Sequence, residues 1–214
     1  MAKPQTYVYV DGFNLYYGSL KGTAHKWLDL QKLVRQLLPQ HDVVQIRYFT
    51  ARVSAMPPDS QQPRRQEAYL RALGTFPEIS LHYGHFLVNP TFLPLEKPPA
   101  KGSRLVRVLK TEEKGSDVNL ATELLVDAAC SRFEEAVVVS NDSDLMAPIV
   151  AVSQHFKKPV GVLHPHRQAS RELRRVATFC RSIPAGALRA SQLPTHPGFV
   201  DQSGFRIKKP PDWK

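Results

Sequence analysis

Apolar residues come along this chain in two rhythms, short unbroken bursts and longer stretches at helical spacing. Tyr7 to Val10 (YVYV) and Val137 to Val139 are bursts of β-branched and aromatic residues, the pattern of strands covered on both faces in a parallel sheet. Leu28, Leu30, Leu33, Val34, Leu37 and Leu38 then recur at helical spacing and stop at Pro39, predicting a helix over 28–38 with Asp29 as its capping acid. Val43 to Ala51 reads as the next strand. Gln62 to Leu73 reads as the next helix, with Pro63 near its start and Gly74 at its end. Ile79 to Val88 alternates as a strand. Leu105 to Lys110 alternates beside Arg104 and Arg107, as a strand near a sheet edge with one face in solvent.

Further on, Val118, Leu120, Ala121, Leu124, Leu125 and Ala128 mark a helix. Leu145 to Phe156 marks another, with Pro148 in its first turn, where a missing amide costs little. Lys157 and Lys158 close that helix favourably for its dipole, and Val160 to Leu163 is a short strand. Strand and helix in alternation predict an α/β fold. Asn89 to Gly102 interrupts the rhythm: its proline density excludes an interior strand or helix and predicts a loop or flexible insert.

Acids stand where the bursts stop. YVYV runs into Asp11, Gly12 and, three residues after the acid, Asn14. VVVS runs into Asp142 and Asp144. Asp117 follows the break at Gly115 and Ser116, at the start of a predicted helix. Taken singly, each is an ordinary capping residue. Open α/β sheets, however, gather ligands just beyond the carboxyl ends of their strands, so these acids are expected at one rim. Carboxylates brought together repel, and either a proton or a cation must neutralise the group. Oxygen-only ligands suit Mg²⁺ or Mn²⁺, and no paired thiolates or HExxH spacing suggest zinc. Such a cation is the equipment of phosphodiester hydrolysis. Glu112 and Glu113, adjacent in a predicted exposed turn, are read as surface residues outside the site. Asp127 lies about 15 Å further along the same helix as Asp117, too far to join it.

Composition fits one domain with appendages: 214 residues, 42% hydrophobic. Cys130 and Cys180 form no ligand pair and read as small core residues in a reducing compartment. With no signal peptide before the first strand and no apolar run near membrane length, the expected address is the cytoplasm. The net charge of +10 is concentrated late. Residues 151–214 hold 12 Lys and Arg against 3 Asp and Glu, leaving 17 against 16 for residues 1–150. A polyanion is the natural partner of such a surplus. Arg167, Arg171, Arg174 and Arg175 surround a short helix pattern. Phe205, Arg206, Lys208, Lys209 and Trp213 mix cations with aromatics, which suits the stacked bases of a single strand. A solvated helix and a tail anchored on the domain by Trp213 is the alternative. Lys114, beside Gly115, is a candidate phosphate contact, and HPHR at the end of a strand puts two histidines, His164 and His166, and Arg167 at the acid rim, where they could touch substrate phosphate or assist proton transfer.

VYVDGFNLYY, EKGSDVNLATELLVDAA and VVVSNDSDLMAPI resemble, in wording, order and spacing, the three signature blocks of the NYN domain, a PIN-like nuclease fold. The likeness runs from about Tyr7 to about Phe179 and is to the bacterial branch related to the LabA proteins. It implies a Rossmann-like three-layer α/β/α sandwich with a mainly parallel central sheet and metal-dependent endoribonuclease activity. Carried over by position, Asp11, Asp117, Asp142 and Asp144 are the metal-binding and catalytic acids, and Asn14 orients Asp11 or the attacking water. Residues 1–185 would form the domain, with the proline-rich insert near 89–102, and 186–214 a basic tail. Single-stranded RNA is the expected partner and a homodimer is expected from the resemblance. Two rivals remain: an RNA-binding module that does not cut, and a phosphatase acting on small esters. Against the phosphatase stand the lack of a Walker loop and of a DxDxT arrangement.

Overall fold

A computed structural model describes residues 2–55, 59–195, 199–201 and 203–213. Six strands form the central sheet: β1 (Gln5–Asp11), β2 (Asp42–Thr50), β3 (Ile79–Tyr83), β6 (Glu135–Val139), β7 (Val160–His164) and β8 (Cys180–Ser182), in the order β3-β2-β1-β6-β7-β8. Every pairing in that sheet is parallel. The chain winds outwards in one direction from β1 through β2 to β3, then restarts at β6 and winds the other way. The switch point of this doubly wound sheet therefore lies between β1 and β6, and a crevice opens there beyond the strand ends.

Side-chain alternation explains why the bursts carry no polar residues. Val8, Val10, Val137 and Val139 enter one core, while Tyr9, Ala136 and Val138 enter the other, all of them buried. On the first face lie α2 (Leu30–Leu37), α3 (Gln62–Leu73) and α7 (Ala185–Ala190). On the second lie α4 (Ser116–Ala129), α5 (Met146–His155) and α6 (Arg171–Val176). Asp29 caps α2 by accepting from the Lys32 amide, and Pro63 sits in the first turn of α3. At the foot of the second layer Asp127 is fully buried. It accepts hydrogen bonds from the Tyr9 hydroxyl at 2.6 Å, from Arg47 at 2.7 and 2.9 Å, and from Arg132 at 2.8 Å. That network holds α4 to β1 and β2 and explains Asp127 without a role in chemistry.

The segment expected to be a loop is strand over residues 89–94 and irregular, as expected, over 95–102. After β3 the chain turns at Gly84 and leaves the sheet as β4 (His85–Pro94), which pairs antiparallel with β5 (Leu105–Lys114) from His85↔Lys114 to Pro94↔Leu105. Pro90 and Pro94 lie within β4. A two-stranded ribbon has free edges on both sides, so a residue without an amide is tolerated where a central strand would reject it. Gly84 is required at the joint, because a Cβ there would stand 2.5 Å from both Glu113 Oε1 and the Lys114 carbonyl.

Two other expectations change. Cys130 is exposed and so is not the core residue expected, whereas Cys180 is half-buried at the edge of the second core, and neither is in a disulfide. The C-terminal segment folds back: Trp213 is buried against Trp27 and Tyr69, and the short pair β9 (Phe199–Val200) and β10 (Arg206–Ile207) abuts α3. Arg71 pairs with Asp201 and covers the Phe205 ring. No described helix is long and apolar enough to cross a membrane.

Candidate active site

Asp11 is the last residue of β1 and the N-cap of α1 (Gly12–Leu15), which begins where the strand stops. Its Oδ1 accepts the Asn14 amide at 2.9 Å and its Oδ2 accepts the Ser140 hydroxyl at 2.9 Å. Across the switch point, the loop after β6 carries Ser140, Asn141 and Asp142. The Ser140 oxygen also accepts the Asp142 amide at 3.1 Å, so one buried hydroxyl ties the two acidic loops together. Asp142 Oδ1 caps the 3₁₀ turn Ser143–Leu145 by accepting the Asp144 amide at 3.0 Å.

Asp117 arrives from a third direction, in the first turn of α4, on a chain that enters through Gly115 at φ +95°. Glu113 steadies that entry, accepting from the Ser116 amide at 3.1 Å and the Ser116 hydroxyl at 2.8 Å. Asp11, Asn14, Asp117 and Asp142 line one cleft together with Glu113, Ser116, Phe86 and His166. Glu113, read from sequence as a surface acid, lines the cleft, and of the two histidines expected at this rim His166 is the one that reaches it. The adjacent β5 pairing and the helix break at Gly115 are the signals that would have turned Glu113 inward.

Gathered acids leave an electrostatic mark. Burial, reinforced by the charges of Asp11, Asp142, Glu113 and Asp144, pushes the Asp117 carboxyl up to about 6. Burial also raises Asp11, with Asp142 adding to it, against the lowering effect of the hydrogen bonds from Asn14 and Ser140. The donor set, all oxygen and mutually repelling, fits a hard divalent cation in kind. Asp11 and Asp142 each keep lone pairs beyond those used locally. Among the described residues, no three His, Cys, Asp or Glu side chains stand close enough to form a finished cage, so water would complete any coordination sphere.

The remaining candidates fall at varied distances from this centre. Asp144 is exposed and contributes charge towards Asp117, but it does not line the cleft. The Asn14 side chain does not turn to Asp11; its Oδ1 accepts the Asn141 amide at 2.9 Å, and only its backbone amide serves Asp11. His164 is buried at the end of β7, with Nδ1 bonded to the His166 carbonyl at 2.9 Å, so it supports its neighbour and faces no open cleft. Lys114 is exposed and pairs with Glu112 at 3.4 Å. Arg167, Arg171, Arg174 and Arg175 are exposed on and before α6. That segment is tied to the acidic loop, since Asn141 Oδ1 accepts the Ser170 amide at 2.7 Å and Asn141 Nδ2 donates to the Gln168 carbonyl at 3.1 Å.

A second cavity, of about 350 Å³, lies on the other side of α1. Phe13 and Tyr17 line both spaces. Tyr16, Tyr48, Tyr69 and Trp213 supply further walls of the second, with Thr50 and Lys26 among its polar groups.

Comparison with known proteins agrees with this architecture. The chain is 33% identical over 219 aligned positions to the 6-hydroxy-3-succinoylpyridine 3-monooxygenase HspA of Pseudomonas putida, a match covering 89% of this chain and 70% of that one. A crystal structure of a protein of unknown function from Vibrio parahaemolyticus superposes with a TM-score of 0.52 at 19% identity, over 86% of this chain and 94% of that one, and shares the fold. The family model of the NYN domain matches residues 5–183, and with the doubly wound sheet and its switch-point acids this places the chain in the NYN family of the PIN-like superfamily.

Proposed function

We propose that this chain is a cytoplasmic, metal-dependent endoribonuclease that hydrolyses RNA phosphodiester bonds in the cleft between β1 and β6. The observation that carries this reading is the convergence of Asp11, Asp117 and Asp142, from three separate chain segments, on one cleft where burial, reinforced by the charges of Asp11 and Asp142, raises the Asp117 carboxyl to about 6. Asp11, Asp117 and Asp142 would hold Mg²⁺ or Mn²⁺ in part through bridging water, since no three acids of the described residues stand close enough to enclose it directly, with Asp144 adding charge from the rim. When bound, such a cation supplies Lewis acidity towards the attacking water and the leaving oxygen.

The chain's own residues do the rest. Ser140 fixes Asp11 against Asp142, and Glu113 fixes the start of α4 so that Asp117 stays in the cleft. His166, at the edge of the same cleft, is placed to contact substrate phosphate or to hand a proton to a departing oxygen. The exposed arginines around α6 would hold a phosphate backbone by sequence-independent contacts. Single-stranded RNA is the proposed partner, and a homodimer the proposed assembly.

Labelled single-stranded RNA incubated with purified protein, first with Mn²⁺ and then with EDTA, tests this. Cleavage that requires the metal and is lost in Asp142→Asn supports it. Tight binding without any cleavage would replace it with the reading of a non-cutting RNA-binding module.

A second reading is favoured by the activity for which the Pseudomonas relative is named, together with the aromatic cavity beside the acids: oxygenation of a small heteroaromatic ring. Oxygen uptake dependent on both a hydroxylated pyridine and an added reductant would support it over RNA hydrolysis.

A further inference from the structure

The cavity behind α1 has the size and lining of a ligand site. At about 350 Å³ it falls at the small end of the range for specific small-molecule pockets. Its walls are rings: Tyr16 and Tyr17 meet edge-on with centroids 5.3 Å apart, Tyr48 and Tyr69 at 6.4 Å, and Tyr69 and Trp213 at 6.1 Å. Aromatic faces arranged in this way favour a flat guest that can stack or be met edge-on.

The polar groups narrow the guest further. Tyr48 is 7% exposed and Thr50 is 2% exposed; both line the cavity, and neither hydroxyl has a hydrogen-bond partner among the described residues. Neither oxygen is sealed off, since the fully enclosed unpaired polar atoms among the described residues are Trp27 Nε1, His41 Nδ1 and Gln192 Oε1, so both hydroxyls are free to donate to a guest in the cavity. Burial raises the Tyr48 phenol above its usual range, keeping it a donor at any physiological pH. Lys26 also lines the cavity and pairs with no acid among the described residues. Arg65, by contrast, is already held by Asp59 and Asp212. Gly12 makes the arrangement possible, since a Cβ there would stand 2.7 Å from the Tyr48 hydroxyl and from the Phe49 carbonyl.

We propose that this cavity binds one planar, six-membered nitrogen heteroaromatic ring carrying oxo or hydroxyl groups, with Tyr48, Thr50 and Lys26 donating to its oxygens. Such a ring has two sources, a free pyridine or pyrimidine, or a single pyrimidine base turned out of an RNA strand whose backbone passes the acid cleft. The assignment does not rest on phosphodiester cleavage, and a chain that cuts no RNA still tests it.

The tryptophans provide the readout, because Trp213 forms one wall and Trp27 packs directly against it at 6.2 Å. Full-length protein is titrated with uracil, with 6-hydroxypyridine-3-carboxylate and with a uridine hexanucleotide, following intrinsic fluorescence, and cyclohexanecarboxylate serves as a non-planar control. A saturable change with a free ring and none with the control is expected. Tyr48→Phe keeps the ring and loses no native hydrogen bond, so it should fold, and it should weaken binding about five- to tenfold, the worth of one hydrogen bond. Lys26→Ala should weaken the carboxylate-bearing ring in the same way. If the hexanucleotide displaces the free ring, the guest is a base of the strand; if it leaves the ring in place, the guest is a free molecule. No saturable change with either free ring, or affinities unchanged in both variants, overturns the assignment.

Discussion

The side-chain oxygen of Asn14 accepts the backbone amide of Asn141 at 2.9 Å, joining the helix that follows β1 to the loop that follows β6. A residue that resemblance assigns to orienting Asp11 or a water instead clamps two loops across the switch point. Asn141 passes the connection on to Ser170 and Gln168. The acidic loop after β6 and the basic segment before α6 are thus joined through side-chain and backbone amides.

Asn14→Ala removes that clamp and leaves the Asn141 amide seeking water. A loss of about 1 kcal/mol is expected, or about 2 to 4 °C in melting temperature for a chain of this size. Differential scanning calorimetry checks the shift. Because the acids sit on the released loop, RNA cleavage should fall by more than the stability loss explains, whereas a change in melting temperature with full activity would reduce Asn14 to a purely structural residue.

Asp117 sets a pH dependence. Its carboxyl, at about 6 in the folded chain, lies above the unfolded value near 4. Between those values the folded chain binds more protons than the unfolded one, so stability falls as pH rises through the window. The contribution is fully present below about pH 4 and lost above about pH 6. Asp117→Asn abolishes this slope and should be the more stable protein at pH 7.5 by about 1 kcal/mol, a figure reduced from the full linkage because the carboxyl is only half-buried. Urea denaturation of both proteins at pH 4 and 7.5 should show the difference closing at the lower pH, and cleavage should be absent in the variant at either.

Asp127 carries the opposite expectation. Asp127→Ala takes the acceptor from the Tyr9 hydroxyl and leaves the Arg47 guanidinium with Glu123 as its remaining acid, at a cost of about 3 kcal/mol. Equilibrium unfolding measures it directly. Whatever fraction remains folded should retain metal-dependent cutting, since Asp127 belongs to the joint between α4 and the sheet and not to the cleft.

Much of the architecture was legible because burial on two faces writes itself into consecutive residues. The runs before Asp11 and Asp142 announce strands, and their abrupt ends announce loops at the sheet rim. The spacing around Pro63 and Gly74 marks α3 to the residue. Long-range relationships were not legible. Nothing local at Pro90 or Pro94 says that β4 will pair with β5 outside the main sheet, where an amide-free residue is harmless. Glu113 reads as one of two adjacent surface acids until the ribbon's register brings it to Ser116. Trp213 and Lys26 meet only after the tail has folded back over α3, so the aromatic cavity has no signature in any one stretch of sequence.

Asp11 begins a helix only four residues long, and that helix is the partition between the acid cleft and the aromatic cavity. Its carboxylate is at once a wall of one chamber and the peg on which the partition hangs. Phe13 and Tyr17 face both chambers from that partition. A substitution at Phe13 or Tyr17 therefore alters the walls of both chambers at once.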